Sequence, residues 1–163
     1  MILNNFKDWL YGVVNYNLYR SRGEVSYKDI DGNTVNLRWD EGNNFLNNPR
    51  ASISELTNNG EHCVVLGTND APVTVDDCEW KNDVTDLSTV SLSFSRATVN
   101  GNRVIRATRS VTNNTENDIT IREVGFVVND NGNKKVLIAR EVLATPVVVK
   151  ANGGAQVFGI DIG

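Results

Sequence analysis

The feature that most constrains this chain is a series of short turn signals between β-prone runs: Asp31-Gly32, Asn100-Gly101, Asn131-Gly132 and Ala151-Asn152-Gly153-Gly154. Asn-Gly and Asp-Gly supply the positive φ that tight hairpin loops require. Each is flanked by β-branched and aromatic residues, which read as strands. Glu24 to Trp39 reads as one hairpin about Asp31-Gly32. Val90, Leu92 and Phe94 alternate with Ser91, Ser93 and Ser95, so a strand with one buried face should turn at Asn100-Gly101 and return over Arg103 to Thr112. Ile119 to Leu143 folds as a third hairpin about Asn131-Gly132, and Pro146 to Lys150 pairs with Gln156 to Ile162 as a fourth. Cys63 to Thr68 adds a strand. Crossover helices have no room between these runs, so the expected fold is all-β: an antiparallel β-sandwich, jelly-roll or Ig-like, over residues 21–163.

Residues 1–20 differ from everything that follows. Ile2, Leu3, Phe6, Trp9, Leu10, Val13 and Val14 recur at helical spacing, which predicts an N-terminal amphipathic helix over about Leu3 to Asn17. Gly12 weakens it by about 1 kcal/mol relative to Ala, so the apolar stripe has to be buried for the helix to persist. Two burial sites are open, the chain's own domain or another subunit. Phe6, Trp9, Leu10 and Val13 are the candidate attachment residues. Asp40 to His62 is rich in turn formers and reads as a long surface connection with a short helix at Ser52 to Leu56. The loop around Pro72 should run extended across the surface.

The third hairpin carries charge where a core strand would be apolar: Arg122, Glu123, Arg140 and Glu141. With Asn131-Gly132 at the centre of a type I′ turn, Arg122 falls opposite Glu141 and Glu123 opposite Arg140. Exposed pairs of this kind contribute about 0.2–1 kcal/mol each, so their larger role is to hold register. They can also meet a charged neighbour in an assembly, which makes the four residues interface candidates.

Chemistry finds little support. His62 is the lone histidine, and with Cys63 and Cys78 it lacks the fourth ligand and paired spacing of a zinc site. Asn129 to Asn133 resembles the start of a calcium loop, but the twelfth position, where a bidentate Glu belongs, is Arg140. Asp70, Asp76, Asp77 and Glu79 are the loop acids that a cation would have to recruit, while Asp76 and Asp77, as strand neighbours, point to opposite sides and cannot flank one glycosidic bond. The expectation is a protein that is not an enzyme and holds no cofactor or metal. A net charge of −4, with arginines dispersed among acids, argues against a nucleic-acid partner. No apolar run approaches the roughly 18 residues needed to span a bilayer, so no membrane partner is expected. A carbohydrate-binding module is the second reading, in which Trp39, Trp80 and Tyr27 would stack on sugar faces.

Val64 to Ile162 carries a family resemblance. The segments "VLGTNDAPVTVDDCEW", "RATRSVTNNTENDITIREVGFVV" and "VLIAREVLATPVVVKANGGAQVFGIDI" resemble small β-sandwich virion structural proteins of tailed bacteriophages. Its most specific parts are Thr112-Asn113, Ile119 to Ile121, Glu123 to Gly125, Leu137 to Arg140 and Thr145 to Val147. Cys78 and Trp80 depart from it, since the family more often places an aromatic near the first and a Leu near the second. The resemblance implies a capsid accessory, head fibre or tail protein with no catalytic motif to transfer. The expected partners are other capsid or tail proteins and the chain itself, as a homo-oligomer with a trimer as the expected form. The expected location is the virion, after synthesis in the host cytoplasm. Loops Asn43 to Asn59 and Asp70 to Lys81 are expected to contact neighbours.

Overall fold

The computed structural model describes residues 2–4, 6–8, 23–39, 63–129 and 135–163. Its strands are β1 (Gly23–Lys28), β2 (Thr34–Trp39), β3 (Val64–Gly67), β4 (Ser88–Val99), β5 (Asn102–Asn113), β6 (Ile119–Asn129), β7 (Lys135–Val149) and β8 (Gly154–Ile162). The protein is mostly β, with antiparallel pairing and no closed barrel. β1 and β2 pair alone, and the remaining strands form two three-stranded sheets, ordered β3-β6-β7 and β4-β5-β8. Val64, Leu66, Val124, Phe126 and Ile138 from the first share one buried cluster with Ala107, Val111, Phe158 and Ile160 from the second. Phe94 of β4 meets Phe126 of β6 edge-on, with ring centroids 6.2 Å apart and planes at 83°.

The Asn100-Gly101 hairpin forms as expected. Both residues have positive φ, 50° and 82°, and they close directly on the Val99–Asn102 pair. The first hairpin forms too, but with a longer loop. Buried Asp29 accepts hydrogen bonds from the N–H groups of Asp31 at 3.1 Å and Asn33 at 2.8 Å, which holds residues 29–33 between Lys28 and Thr34.

The fourth hairpin is a correction. β8 pairs with β5, from Ile105–Ile162 to Asn113–Gly154, and β7 pairs with β6. Residues 150–153 are therefore a corner that carries the chain from one sheet to the other. Asn152 and Gly153 do adopt positive φ, 58° and 98°, because tight reversals need that geometry whether or not the flanking strands pair. Asp118 fixes the corner by accepting from Ala151 N–H at 2.9 Å and Lys150 Nζ at 2.8 Å.

The register of β6 on β7 also differs from expectation. Val128 faces Val136 and Val127 faces Leu137, already one residue from the Val128–Lys135 and Val127–Val136 pairs that a two-residue turn would give; an irregularity then adds one more, and Gly125 faces Arg140, Val124 faces Glu141 and Glu123 faces Val142. A second irregularity separates Glu123–Val142 from Ile121–Val147. Leu143 to Pro146 stand there against Arg122, and Pro146, with no N–H to donate, accounts for the break in the ladder. The directly opposed Arg122–Glu141 and Glu123–Arg140 rungs are therefore not formed. The Asn131-Gly132 turn itself lies outside the described residues.

The wet and dry faces of β4 are less distinct than the alternation implies. Val90 is 68% exposed and Phe94 42% exposed, because β4 is an edge strand with an irregularity between Thr89 and Ser91. At the N-terminal segment, Ile2 forms an antiparallel bridge to Ala139, and Leu3 N–H donates to Ile138 O at 3.0 Å. Leu3 is thus extended on the edge of β7, not the first residue of a helix. Helical geometry appears at Asn4 and at residues 6–8; the rest of the expected helix, with Trp9, Leu10 and Val13, lies outside the described residues, as does the connection Asp40 to His62.

Candidate functional site

β6 is buried on both faces. One faces the shared core; the other lies beneath the segment between β3 and β4, where Trp80 and Val73 pack with Val65, Val127, Leu137 and Leu3. Gly125 makes this approach possible, since a Cβ there would stand 2.8 Å from Val65 Cγ2 and 2.9 Å from Trp80 Cε3. Two of the four charges of the third hairpin, Glu123 and Arg140, sit under the same cover. Glu123 is 1% exposed and Arg140 4% exposed, so the expected surface pair is an internal one.

Arg140 directs its guanidinium three ways. Nε donates to Glu123 Oε2 at 2.6 Å, Nη1 to Asp77 Oδ2 at 2.7 Å and Nη2 to the carbonyl of Ala71 at 3.0 Å. Asp77 also accepts from Thr74 Oγ1 at 2.7 Å. The overlying segment is thereby pinned to the sheet at Ala71 and Asp77. Among the described residues, Glu123 Oε1 has no hydrogen-bond partner; it lies against Gly67, where a Cβ would approach Glu123 Cγ to 2.8 Å.

Burial pushes the Glu123 pKa above its ordinary value even though Arg140 opposes the shift. Asp77 is also pushed upward by burial, but hydrogen bonds from Thr74 and Arg140 outweigh that, and its pKa is lowered. The two carboxylates act with opposite sign. Because Glu123 holds its proton more tightly folded than unfolded, its favourable contribution is complete below the ordinary glutamate value of about 4.3 and drains as pH rises through the raised value. Asp77 contributes above the ordinary carboxylate range and loses its contribution on acidification. Glu123→Gln is accordingly expected to gain stability relative to the parent as pH rises above about 4.3, read as the difference in urea midpoint across a pH series. A pH-independent difference would show that Glu123 titrates normally.

Arg109, absent from the sequence-based candidates, is a second internal cation. It projects from β5 among Ala107 and Val111, donating from Nε to Thr89 Oγ1 at 2.8 Å and from Nη1 to Val64 O at 3.1 Å. Its signal in the sequence is an arginine at an inward position of an alternating strand. Asn113 was also missed; its amide donates to the carbonyls of Asn117 at 2.8 Å and Val149 at 2.9 Å, joining the two sheets at one end.

The other candidates disperse. Arg122 reaches Asp70 at 3.5 Å across an exposed surface, and Glu141 is exposed. Phe6 is half-buried against the protein's own core. The loop acids take separate partners: Asp76 accepts from Asn4 Nδ2 at 3.0 Å, Glu79 pairs with Lys81 at 2.6 Å and Asp83 accepts from Trp80 Nε1 at 3.2 Å. Among the described residues, no three His, Cys, Asp or Glu side chains gather as metal ligands. Tyr27 is buried in the core, whereas Trp80 is half-buried with one ring edge against Gly125; the Trp39 side chain lies outside the described residues. Cys63 is fully buried and its thiol is pushed up to about 11, which keeps it neutral near pH 7. His62 lies outside the described residues.

Compared with protein families, curated proteins and solved structures, the chain matches none. Its site is therefore read from its own geometry. Three internal charges, Glu123, Arg140 and Asp77, hold a loop against a sheet. Clefts of about 310 Å³ near Asn4, Tyr27 and Asp76, and about 300 Å³ near Asn69, Asp77 and Arg140, flank this cover.

Proposed function

We propose that this chain is a non-enzymatic structural component of a tailed-phage particle: an antiparallel β-sandwich attached to the capsid or tail, working as a homo-oligomer beside other particle proteins. Two sheets that share one core support the sandwich reading. A particle protein acts through weak contacts multiplied by symmetry, so it needs a stiff scaffold with pinned loops.

The observation that carries the proposal is where the resembling segments meet. Asp77 of the "VTVDDCEW" stretch, Glu123 of "REVG" and Arg140 of "LIAR" are far apart in sequence but converge in one bonded cluster. Trp80 and Gly125, from two of the same stretches, touch beside it. The residues behind the phage resemblance thus build a lock on the scaffold.

The test is quantitative mass spectrometry on particles purified by density gradient from cells producing the phage whose genome encodes the chain. The expected result is recovery of the chain in fixed, multi-copy ratio to the major capsid protein. Its loss from banded particles would overturn the proposal. Truncation through Asn17 is not a clean alternative, because it removes Leu3 from the core.

A further inference from the structure

Asn-Gly steps occur at Asn59, Asn100, Asn131 and Asn152, and those at Asn100 and Asn152 lie among the described residues. Such a step is open to attack within the chain, because glycine has no side chain to shield its main-chain nitrogen from the neighbouring carboxamide. The two described steps look alike at first. Both have positive φ at each residue, 50° and 82° at the first and 58° and 98° at the second, and both have open space beside the glycine.

They differ in what their main-chain nitrogens do. At the corner between the sheets, Gly153 N–H donates to Asn113 O at 2.7 Å and Asn152 N–H to Thr115 O at 2.9 Å. Asn113 is itself fully buried and held through its side chain by Asn117 and Val149, so the acceptor is fixed. Asp31-Gly32, the acidic counterpart of these steps, is restrained in the same way by Gly32 N–H donating to Asp29 O at 3.0 Å. At the tip between β4 and β5, Asn100 and Gly101 are both exposed. Among the described residues, neither the Gly101 N–H nor the Asn100 carboxamide has a hydrogen-bond partner.

We propose that Asn100 is a site of spontaneous covalent modification, deamidated through a ring closed by Gly101, and that the fold protects Asn152 from the same reaction. The Gly101 nitrogen attacks Cγ of Asn100 and gives up its proton to solvent; the bond from Cγ to the side-chain nitrogen breaks, and that nitrogen takes up a proton and leaves as ammonia. Water then opens the cyclic imide at one of its two carbonyls. One opening restores the main chain with an aspartate at position 100, and the other leaves isoaspartate, with the main chain running through the former side chain. Asparagine and water thus become acid and ammonia, with no change of oxidation state. Either product sets a new negative charge on the tip. Isoaspartate also lengthens by one carbon a two-residue loop that closes directly on Val99–Asn102, which removes the turn geometry that the closing pair needs. β4 is held in its sheet by β5 alone, so loosening begins at this end of the hairpin.

The test ages the full-length chain in mildly alkaline buffer, which favours loss of the amide proton, and maps samples over time by trypsin digestion and tandem mass spectrometry against an unaged control. Cleavage after Arg96, Arg103 and Lys150 places the two steps in separate peptides, Ala97 to Arg103 and Ala151 to Gly163, and fragment ions separate Asn100 from Asn102. Deamidation at Asn100 is expected to run about tenfold faster than at Asn152, the order of the factor that opening the hydrogen bonds at the corner imposes. Isoaspartyl methyltransferase should label the first peptide well before the second. In guanidinium chloride both steps are released from the fold, and their rates should converge. Equal rates in the native protein overturn the inference, as does faster reaction at Asn152. A rate gap that persists undiminished in denaturant overturns it too, since the gap then comes from neighbouring side chains and not from the fold. No substitution is involved, so no variant has to fold, and the result is read on isolated protein, independently of the particle measurement above.

Discussion

Replacing Arg140 with methionine is expected to destabilise the protein by about 3–5 kcal/mol, the usual cost of leaving one partner of a buried ion pair uncompensated. The guanidinium serves Glu123, Asp77 and Ala71 at once. Methionine occupies similar space, so the loss reports charge and hydrogen bonding more than packing. Glu123 would be left with one oxygen that already has no partner and another that has lost its donor. Urea denaturation at pH 7 gives the difference through the midpoint at unchanged slope. The double substitution Arg140→Met with Glu123→Leu is expected to recover most of the loss, since an apolar pair of similar volume is often as stable as the buried ions it replaces. A single substitution costing under about 1 kcal/mol would mean the pair behaves as a surface bridge.

Leu3→Ala is the second large effect, with an expected loss of about 2–5 kcal/mol for a fully buried leucine. Leu3 lies among Val127, Leu137 and Trp80, and its own N–H is tied to β7. A freely appended attachment helix would give the opposite result, a change within about 0.5 kcal/mol. Thermal or urea unfolding therefore tells directly whether the N-terminal segment belongs to the core.

What could be read in the sequence was local. Asn100-Gly101 places its hairpin because positive φ at both positions and the flanking alternation agree. Asn152-Gly153 offers the same signal, but whether flanking strands pair or part depends on distant partners, here β5 and β6. Counting back from Asn131-Gly132 fails for a related reason: the first described pair, Asn129–Lys135, is already one residue out of that count, and each irregularity along β6 and β7 shifts the later partners further. Of the four charges, Glu123 does bond Arg140, but diagonally and under cover rather than as an exposed rung. Their burial depends on the segment carrying Trp80 and Asp77, whose path over β6 no local pattern encodes. Arg109 escaped for the converse reason, as a polar residue hidden in an inward strand position.

The placement of Leu3 carries a consequence for biogenesis. Its pocket is built by Val127 and Leu137, more than a hundred positions downstream, so a side chain translated early waits for much of the remaining polypeptide. Contacts of such separation belong to slow folders, with relaxation in milliseconds to seconds. Until the later strands emerge from the ribosome, the early apolar stretch stays available to chaperones and to neighbouring nascent chains.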